Sequence, residues 1–187
     1  MDTIKTGKKT LDEMLSGGSL TVIAGRPGKG KSSLAFQIAG NIAECGKRVL
    51  LFSFEMDELG LRKKMSKQGF EAYENNVIVY DEPAVNVEYI TQKATGLENI
   101  DAIFVDYIQL MRGKNNKLSS CKQEVEEIVS GLKILAEKMN VPIVIVSQLG
   151  RNADSVTDES ELIASVRKAG FREQDTDWII FPPHMLN

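Results

Sequence analysis

Short apolar runs alternate along the chain with segments whose apolar residues recur at helical spacing. The predicted strands are Ser19–Ala24, Val49–Phe54, Val77–Tyr80, Asp101–Asp106, Val141–Ser147 and Asp177–Phe181. The predicted helices are Ser32–Glu44, Asp57–Gln68, Asn86–Thr95, Cys121–Met139 and Glu161–Lys168. Nearly continuous Val, Ile and Leu strands that alternate with helices are typical of a mostly parallel sheet with helices on both faces. The pattern therefore predicts an α/β fold.

Length and composition fit one globular domain. The chain has 187 residues, of which 42% are hydrophobic and 26% charged. The sequence has no apolar run near the ~20 residues of a membrane helix, and its first residues lack the apolar core of a secretory signal. Cys45 and Cys121 are far apart and have no metal-ligand spacing. We expect two free thiols in a reducing cytoplasm.

A glycine-rich loop lies between the first predicted strand and the first predicted helix. Residues 25–32 read Gly-Arg-Pro-Gly-Lys-Gly-Lys-Ser, which is the P-loop pattern. Its glycines let the backbone bend and turn N–H groups towards phosphate oxygens, and the helix N-terminus attracts negative charge. In a P-loop, Lys31 reaches the β- and γ-phosphates and the Ser32 hydroxyl binds Mg²⁺. We predict ATP and Mg²⁺ as ligands, bound by Gly25, Arg26, Pro27, Gly28, Lys29, Gly30, Lys31, Ser32 and Ser33.

Three more polar residues follow predicted strands, where ligands of parallel sheets bind. Asp106 ends an apolar strand downstream of the P-loop, like the aspartate that holds Mg²⁺ in other P-loop enzymes. Glu55 could accept a proton from the attacking water if its strand lies beside the P-loop strand, but it could equally cap the next helix. Gln148 could contact the γ-phosphate, although a polar residue that merely leaves a strand is the commoner case.

The net charge of −3 and the pI of about 5.4 bear on nucleic-acid binding. A compact DNA-binding module is usually far more basic, so any contact with nucleic acid must come from a local patch. Two polar segments follow strands at the predicted ligand edge, Arg112–Ser120 and Leu149–Ser160. Each is either an ordinary surface loop or a loop that grips a partner.

Several motifs, in the right order, resemble the RecA-like motor domain of DnaB-type replicative helicases. The similar segments are Ile4–Asp12, the P-loop with its Arg-Pro pair, Phe52–Met56, Val105–Met111, Val141–Arg151 and Arg167–Asp177. They cover nearly the whole chain. The resemblance implies a RecA-like P-loop NTPase that acts as a DNA-dependent ATPase and helicase.

The resemblance also implies roles for individual residues. By resemblance, Lys31, Glu55 and Gln148 are catalytic, with Glu55 as the catalytic carboxylate and Gln148 as the γ-phosphate sensor. Asp106, with Ser32, is the Mg²⁺ ligand. The family forms a hexameric ring that moves on single-stranded DNA, which would bring Arg112, Lys114, Lys117 and Arg151 near DNA. Contacts that track the DNA backbone need only local positive charge.

The resemblance also bears on the two ends of the chain. From it we expect residues 1–187 to contain neither the family's N-terminal primase-binding domain nor its later strands, whose basic residues reach a neighbouring subunit's ATP. We expect one RecA-like domain over residues 1–187. An arginine from a neighbouring subunit can accelerate hydrolysis by orders of magnitude, so without such a residue we expect slow turnover of ATP. An ATP-binding accessory or regulatory protein with little unwinding activity is the alternative. A recombinase or clock-type ATPase fits Phe52–Met56 and Glu173–Asp177 less well.

Overall fold

A parallel sheet forms the centre of the domain in the computed structural model, which describes residues 9–70, 75–113, 120–150 and 158–185. The strands that it describes are β1 (Leu20–Gly25), β2 (Val49–Ser53), β3 (Val77–Tyr80), β4 (Ala102–Asp106), β5 (Ile143–Gln148) and β6 (Trp178–Ile180). Their order in the sheet is β3-β2-β4-β5-β1-β6, and every pairing is parallel. The predicted strands and the α/β class are confirmed.

Six α-helices accompany the sheet in the described part of the chain. They are α1 (Lys9–Met14), α2 (Lys31–Glu44), α3 (Glu58–Lys67), α4 (Val87–Thr95), α5 (Cys121–Met139) and α6 (Glu159–Lys168). Helix α1 was not predicted, whereas the bounds of the other five lie within two residues of the prediction. Side-chain caps explain several starts: Asn86 accepts a hydrogen bond from the Tyr89 N–H, and Asp158 accepts from the N–H groups of Ser160 and Glu161.

Both faces of the sheet are buried, which explains why its strands are apolar at consecutive positions. Leu50 and Phe52 of β2 belong to one cluster, together with Ile128 and Leu132 of α5. Their neighbours Val49 and Leu51 belong to a second cluster, which contains residues of α2 and α3. This alternation confirms the predicted helical layer on each face.

The edge strand β6 contains one residue that the sequence led us to misplace. The sequence predicts Trp178, like the phenylalanines, as a core residue, but Trp178 is 39% exposed. Strand β6 pairs with β1 through Trp178, Ile179 and Ile180, and no second partner is found among the described residues. An edge strand is less fully covered than a central one, so an apolar residue there can remain at the surface.

Candidate functional site

The carboxyl ends of four strands meet at one edge of the sheet. Gly25 of β1 pairs with Gln148 of β5, and Ser53 of β2 pairs with Asp106 of β4. Strands β4 and β5 separate β2 from β1, so the strand before Glu55 does not lie beside the P-loop strand. The condition that we attached to the role of Glu55 is therefore wrong as stated. Glu55 nevertheless lines the same cavity as the P-loop.

The P-loop depends on glycine at positions where the backbone is left-handed. Gly28 has φ 71° and Gly30, the N-cap of α2, has φ 80°. A Cβ would meet no atom within 4 Å at either position, so there is room for a side chain. Glycine is favoured there because other residues rarely adopt a left-handed backbone conformation. At Gly25 the constraint is space: a Cβ there would lie 2.7 Å from Sδ of Met185 and 3.3 Å from Cγ of Lys31, so a larger residue would have to displace these side chains.

Lys31 is folded into the loop that precedes it. Its side chain is 8% exposed, and its Nζ donates a hydrogen bond to the carbonyl oxygen of Arg26 at 2.7 Å. Burial lowers the pKa of Lys31, and the nearby carboxylates Asp106 and Glu55 act in the opposite direction. The loop thus holds a cation in a partly desolvated place, where an anion gains more from it than in bulk water.

Ser32 and Asp106 are joined across the edge of the sheet. The Ser32 hydroxyl donates to Oδ1 of Asp106 at 3.1 Å, and Asp106 is 2% exposed. The pKa of Asp106 is raised to about 6; burial is the largest cause and Glu55 acts in the same direction, whereas the Ser32 hydrogen bond, Lys64 and Lys31 act to lower it. A buried carboxylate beside a hydroxyl is a pair of hard oxygen donors, which suits Mg²⁺. The residues present therefore fit a magnesium ion.

A cavity of about 350 Å³ brings most of the predicted residues together. Its lining contains the P-loop residues Pro27, Gly28, Gly30, Lys31, Ser32 and Ser33, together with Glu55, Lys64, Asp106, Tyr107, Val146 and Gln148. Residues that lie up to 121 positions apart in the sequence (148 − 27) thus share one cavity. The walls carry both lysines and carboxylates, as an anion with a bound cation requires.

Glu55 reaches this cavity through a tight turn after β2. Ser53 Oγ donates to the Met56 carbonyl oxygen at 2.8 Å and accepts from the Met56 N–H at 3.3 Å. The Phe54 N–H donates to the Asp106 carbonyl oxygen at 2.8 Å, which ties the turn to β4. The Glu55 side chain is exposed. It can therefore exchange a proton with solvent or with a water molecule in the cavity.

Sequence reasoning missed Lys64, which reaches the cavity from α3. Its Nζ lies 4.9 Å from the ring centroid of Phe36, and its charge acts on Asp106. In the sequence Lys64 is one of three consecutive basic residues on a helix with a charged face. Nothing in that pattern distinguishes it from Arg62 or Lys63, because only the packing of α3 against α2 decides which of them faces the P-loop.

Two residues of the predicted ATP-binding set lie to one side. Arg26 and Lys29 line an adjacent, more open cavity of about 730 Å³, whose wall also contains Gln109, Gln148 and Gly150. Pro27 lines both cavities. The P-loop therefore presents lysine and hydroxyl groups to one cavity and two basic side chains to the other.

The predicted DNA contacts are largely outside the described residues. Lys114, Lys117 and Arg151 fall there, so the structure says nothing about them. Arg112 is described; it is exposed and lines a third cavity, together with residues of α4 and α5 such as Val87 and Ile134. It does not line the cavity that contains Lys31.

Fold and site together define a class of protein. A glycine loop between a central parallel strand and a helix, with a serine–aspartate pair at the sheet edge, is the arrangement of P-loop NTPases. The family described as DnaB-like helicase C-terminal domain matches residues 3–71 and 62–184. The chain belongs to this family.

Curated relatives and solved structures agree with this assignment. The chain is 30% identical over 210 residues to the replicative DNA helicase DnaB of Geobacillus stearothermophilus, covering 95% of the chain and 46% of that protein. It is 29% identical over 210 residues to the replicative DNA helicase DnaC of Bacillus subtilis, with the same coverage. The chain thus spans about half the length of the curated relatives that it matches.

Three solved structures share the fold. The ATPase domain of G40P superposes with a TM-score of 0.82 at 24% identity, over 95% of this chain and 75% of that one. A DnaB-like replicative helicase studied with primase gives the same TM-score and identity, over 97% and 53% of the two chains. The RadB recombinase gives a TM-score of 0.58. The RecA-like fold is thereby confirmed.

Among the residues described here, no helix combines the length and apolarity needed to span a membrane.

Proposed function

We propose that this chain is an ATP-hydrolysing motor domain of the DnaB helicase type that acts on single-stranded DNA. One observation carries the proposal: Lys31, Ser32, Glu55, Asp106 and Gln148 line a single cavity at the carboxyl edge of the sheet. Each of these five has a chemistry that phosphoryl transfer to water uses. Membership of the helicase family and the names of the relatives support the same proposal.

Each residue has a distinct task in the proposed reaction. The glycine loop and Lys31 bind the phosphates of ATP, and the positive charge of Lys31 stabilises the negative charge that develops on the transferred group. Glu55 accepts a proton from the attacking water, and its exposure to solvent supports that use. Gln148 donates or accepts a hydrogen bond at the γ-phosphate or at the water.

Ser32 and Asp106 would hold Mg²⁺. When bound there, Mg²⁺ would supply positive charge beside the phosphates. Asp106 must be ionised to act as a ligand. Although its pKa is raised to about 6, this value is still below 7, so the carboxylate is largely ionised at neutral pH. The hydrogen bond from the half-buried Ser32 to the buried Asp106 holds both oxygens close together.

The partners of the whole protein also belong to this proposal. We propose that single-stranded DNA contacts Arg112, Lys114, Lys117 and Arg151, which come after β4 and β5 in the sequence. We propose that copies of the protein form a homo-oligomer, with the hexamer of the family as the expected form. We also propose that the protein is located in the cytoplasm. Residues 1–187 would be one RecA-like domain.

Substitution of the P-loop lysine tests the enzymatic part. Lys31→Ala should abolish ATP turnover and weaken nucleotide binding, because the loop loses the cation that faces the phosphates. Steady-state ATPase assays and titration with a fluorescent nucleotide measure the two effects. Lys138→Ala, an exposed lysine of α5, is the matched control and should behave like the wild type. A Lys31→Ala variant with unchanged turnover would sink the proposal.

The motor part requires a separate test. We expect single-stranded DNA to stimulate turnover, and light scattering with ATP and magnesium to show an assembly larger than one chain. Simultaneous replacement of Lys114, Lys117 and Arg151 by alanine should reduce the stimulation and leave the DNA-independent rate unchanged. A monomer whose turnover ignores DNA would contradict the motor function, and nucleotide binding without turnover would favour an accessory ATP-binding protein.

A further inference from the structure

Strand β4 leaves its neighbour β5 before β5 ends. The last pair between them is Val105 with Ile145, whereas β5 continues beside β1 as far as Gln148. In a parallel strand, successive residues direct their N–H and C=O groups to opposite neighbours. The Leu149 N–H donates to the Gly25 carbonyl oxygen of β1, so the N–H and C=O of Gln148 face the side that β4 has left.

A side chain takes the place of the missing strand. Gln109 lies in a short 3₁₀ helix, Ile108–Leu110, that follows β4. Its Oε1 accepts a hydrogen bond from the Gln148 N–H at 3.2 Å, and its Nε2 donates to the Gln148 carbonyl oxygen at 3.0 Å. Nε2 also lies 2.9 Å from Oγ of Ser147, which is fully buried. The carboxamide thus satisfies both backbone groups of Gln148 on the side that β4 has left.

This pairing joins two segments that meet at the candidate site. Gln109 comes three residues after Asp106 and three residues before Arg112. Gln148 lines both the cavity that contains Lys31 and the adjacent cavity that contains Arg26 and Gln109. The amide pair therefore lies between the two cavities and fixes the backbone from which the Gln148 side chain projects.

We propose that Gln109 is a positioning residue that sets the orientation of Gln148 for ATP hydrolysis. The inference rests on the proposed ATPase function and adds a residue to it. Gln109 is exposed and Gln148 is half-buried, so water can replace the carboxamide at the Gln148 backbone, and the buried Ser147 hydroxyl is the one group that loses a partner out of reach of water. Loss of the amide pair should therefore affect the reaction and leave the folded domain intact.

A leucine at this position tests the inference, because leucine keeps much of the volume and removes both hydrogen-bonding groups. We expect Gln109→Leu to lower kcat by about 10-fold to 100-fold, as small displacements of reacting groups can do. The KM for ATP and the affinity for ADP should stay within about twofold, since the phosphate-binding P-loop is unchanged. A purely structural role would instead lower the melting temperature and disturb both constants.

A double-mutant cycle with Gln148→Ala provides the decisive comparison. If Gln109 acts through Gln148, then Gln109→Leu should cause no further loss of kcat in the Gln148→Ala background. Additive effects would overturn the inference, and so would a Gln109→Leu variant that turns over ATP at the wild-type rate. Gln37→Leu, on the exposed side of α2, is the control and should match the wild type in every measurement.

The same experiment separates this inference from the function on which it rests. Lys31→Ala, run alongside, reports on the ATPase function itself. Unchanged turnover in Lys31→Ala would remove the function, and the inference with it. Loss of turnover in Lys31→Ala and Gln148→Ala, together with a fully active Gln109→Leu, would overturn the inference alone.

Discussion

At the scale of single residues, the site combines groups that are costly to keep in a folded protein. Asp106 is a buried carboxylate whose main compensation is one hydroxyl hydrogen bond, and Lys31 is a buried ammonium. Burial of a charge without full compensation destabilises the folded state. Such destabilising groups are common in sites that bind a charged ligand, because the bound ligand supplies the compensating charge.

Asp106→Asn should make the ligand-free domain more stable at neutral pH. The pKa of Asp106 lies near 6 in the folded chain, above its ordinary value, so the ionised form opposes folding above that pH. The free energy of unfolding of Asp106→Asn at neutral pH should exceed that of the wild type by an amount on the order of 1–3 kcal/mol. Urea unfolding of both proteins between pH 4 and pH 8 measures it.

The sign of the pH dependence follows from the raised pKa. The folded state takes up a proton at Asp106 more readily than the unfolded chain between about pH 4 and pH 6. Its contribution to stability therefore falls as the pH rises through that interval. The gain in stability from Asp106→Asn should be complete above pH 6 and should vanish towards pH 4. The same substitution should abolish Mg²⁺-dependent nucleotide binding. An advantage that grew towards low pH would contradict this account.

Lys64→Met should weaken the binding of ATP. The side chain lines the cavity that contains Lys31, and its charge helps to keep Asp106 ionised. Loss of a partly solvated charge near an anion costs about 1 kcal/mol, or somewhat under tenfold in affinity. Titration with a fluorescent nucleotide measures the change. Lys63→Met, one residue earlier and exposed, is the matched control, and equal effects of the two substitutions would contradict the assignment.

At the scale of elements, close packing explains features that helix propensity does not. Helix α2 contains Gly40, although glycine is a poor helix former. A Cβ at this position would lie 2.6 Å from Cδ1 of Phe70 and still closer to its Cγ. Phe70, which follows α3, is buried against α2 in the cluster that contains Phe36. The glycine therefore allows the segment after α3 to approach α2.

Gly40→Ala should destabilise the domain, although alanine favours the helix itself. The clash with the Phe70 ring should cost about 1–3 kcal/mol, which exceeds the gain in helix propensity of about 1 kcal/mol. The midpoint of urea unfolding measures the net effect. Gly40→Ala combined with Phe70→Leu should recover part of the loss, since the smaller side chain leaves room for the methyl group. A more stable Gly40→Ala variant would show that the ring moves aside freely.

At the scale of the whole molecule, the cavity that contains Lys31 lies at one edge of the sheet. Strands β1, β2, β4 and β5 end there, and α2 begins there. A ligand at this edge contacts segments from both halves of the chain. Its binding should therefore stabilise the folded domain as a unit.

Binding of Mg²⁺ with a non-hydrolysable ATP analogue should raise the melting temperature. At a ligand concentration 100 times the dissociation constant, the stabilisation is about 2.7 kcal/mol, or about 5–10 °C for a domain of this size. Differential scanning fluorimetry measures the shift. It should shrink in EDTA and disappear in Lys31→Ala. A shift of equal size in Lys31→Ala would place the nucleotide elsewhere.

The sequence by itself determined the six strands, five of the six described α-helices, the fold class and most of the residues of the candidate site. Strands buried on both faces have consecutive apolar residues, and the P-loop residues are consecutive in the chain, so both are visible without coordinates. The tertiary structure decided what depends on distant segments meeting. It determined the strand order that separates β2 from β1, the exposure of Trp178 at an edge, the choice of Lys64 among three basic neighbours, and the pairing of Gln109 with Gln148. No local pattern records these contacts, because each depends on the packing of elements that are far apart in the chain.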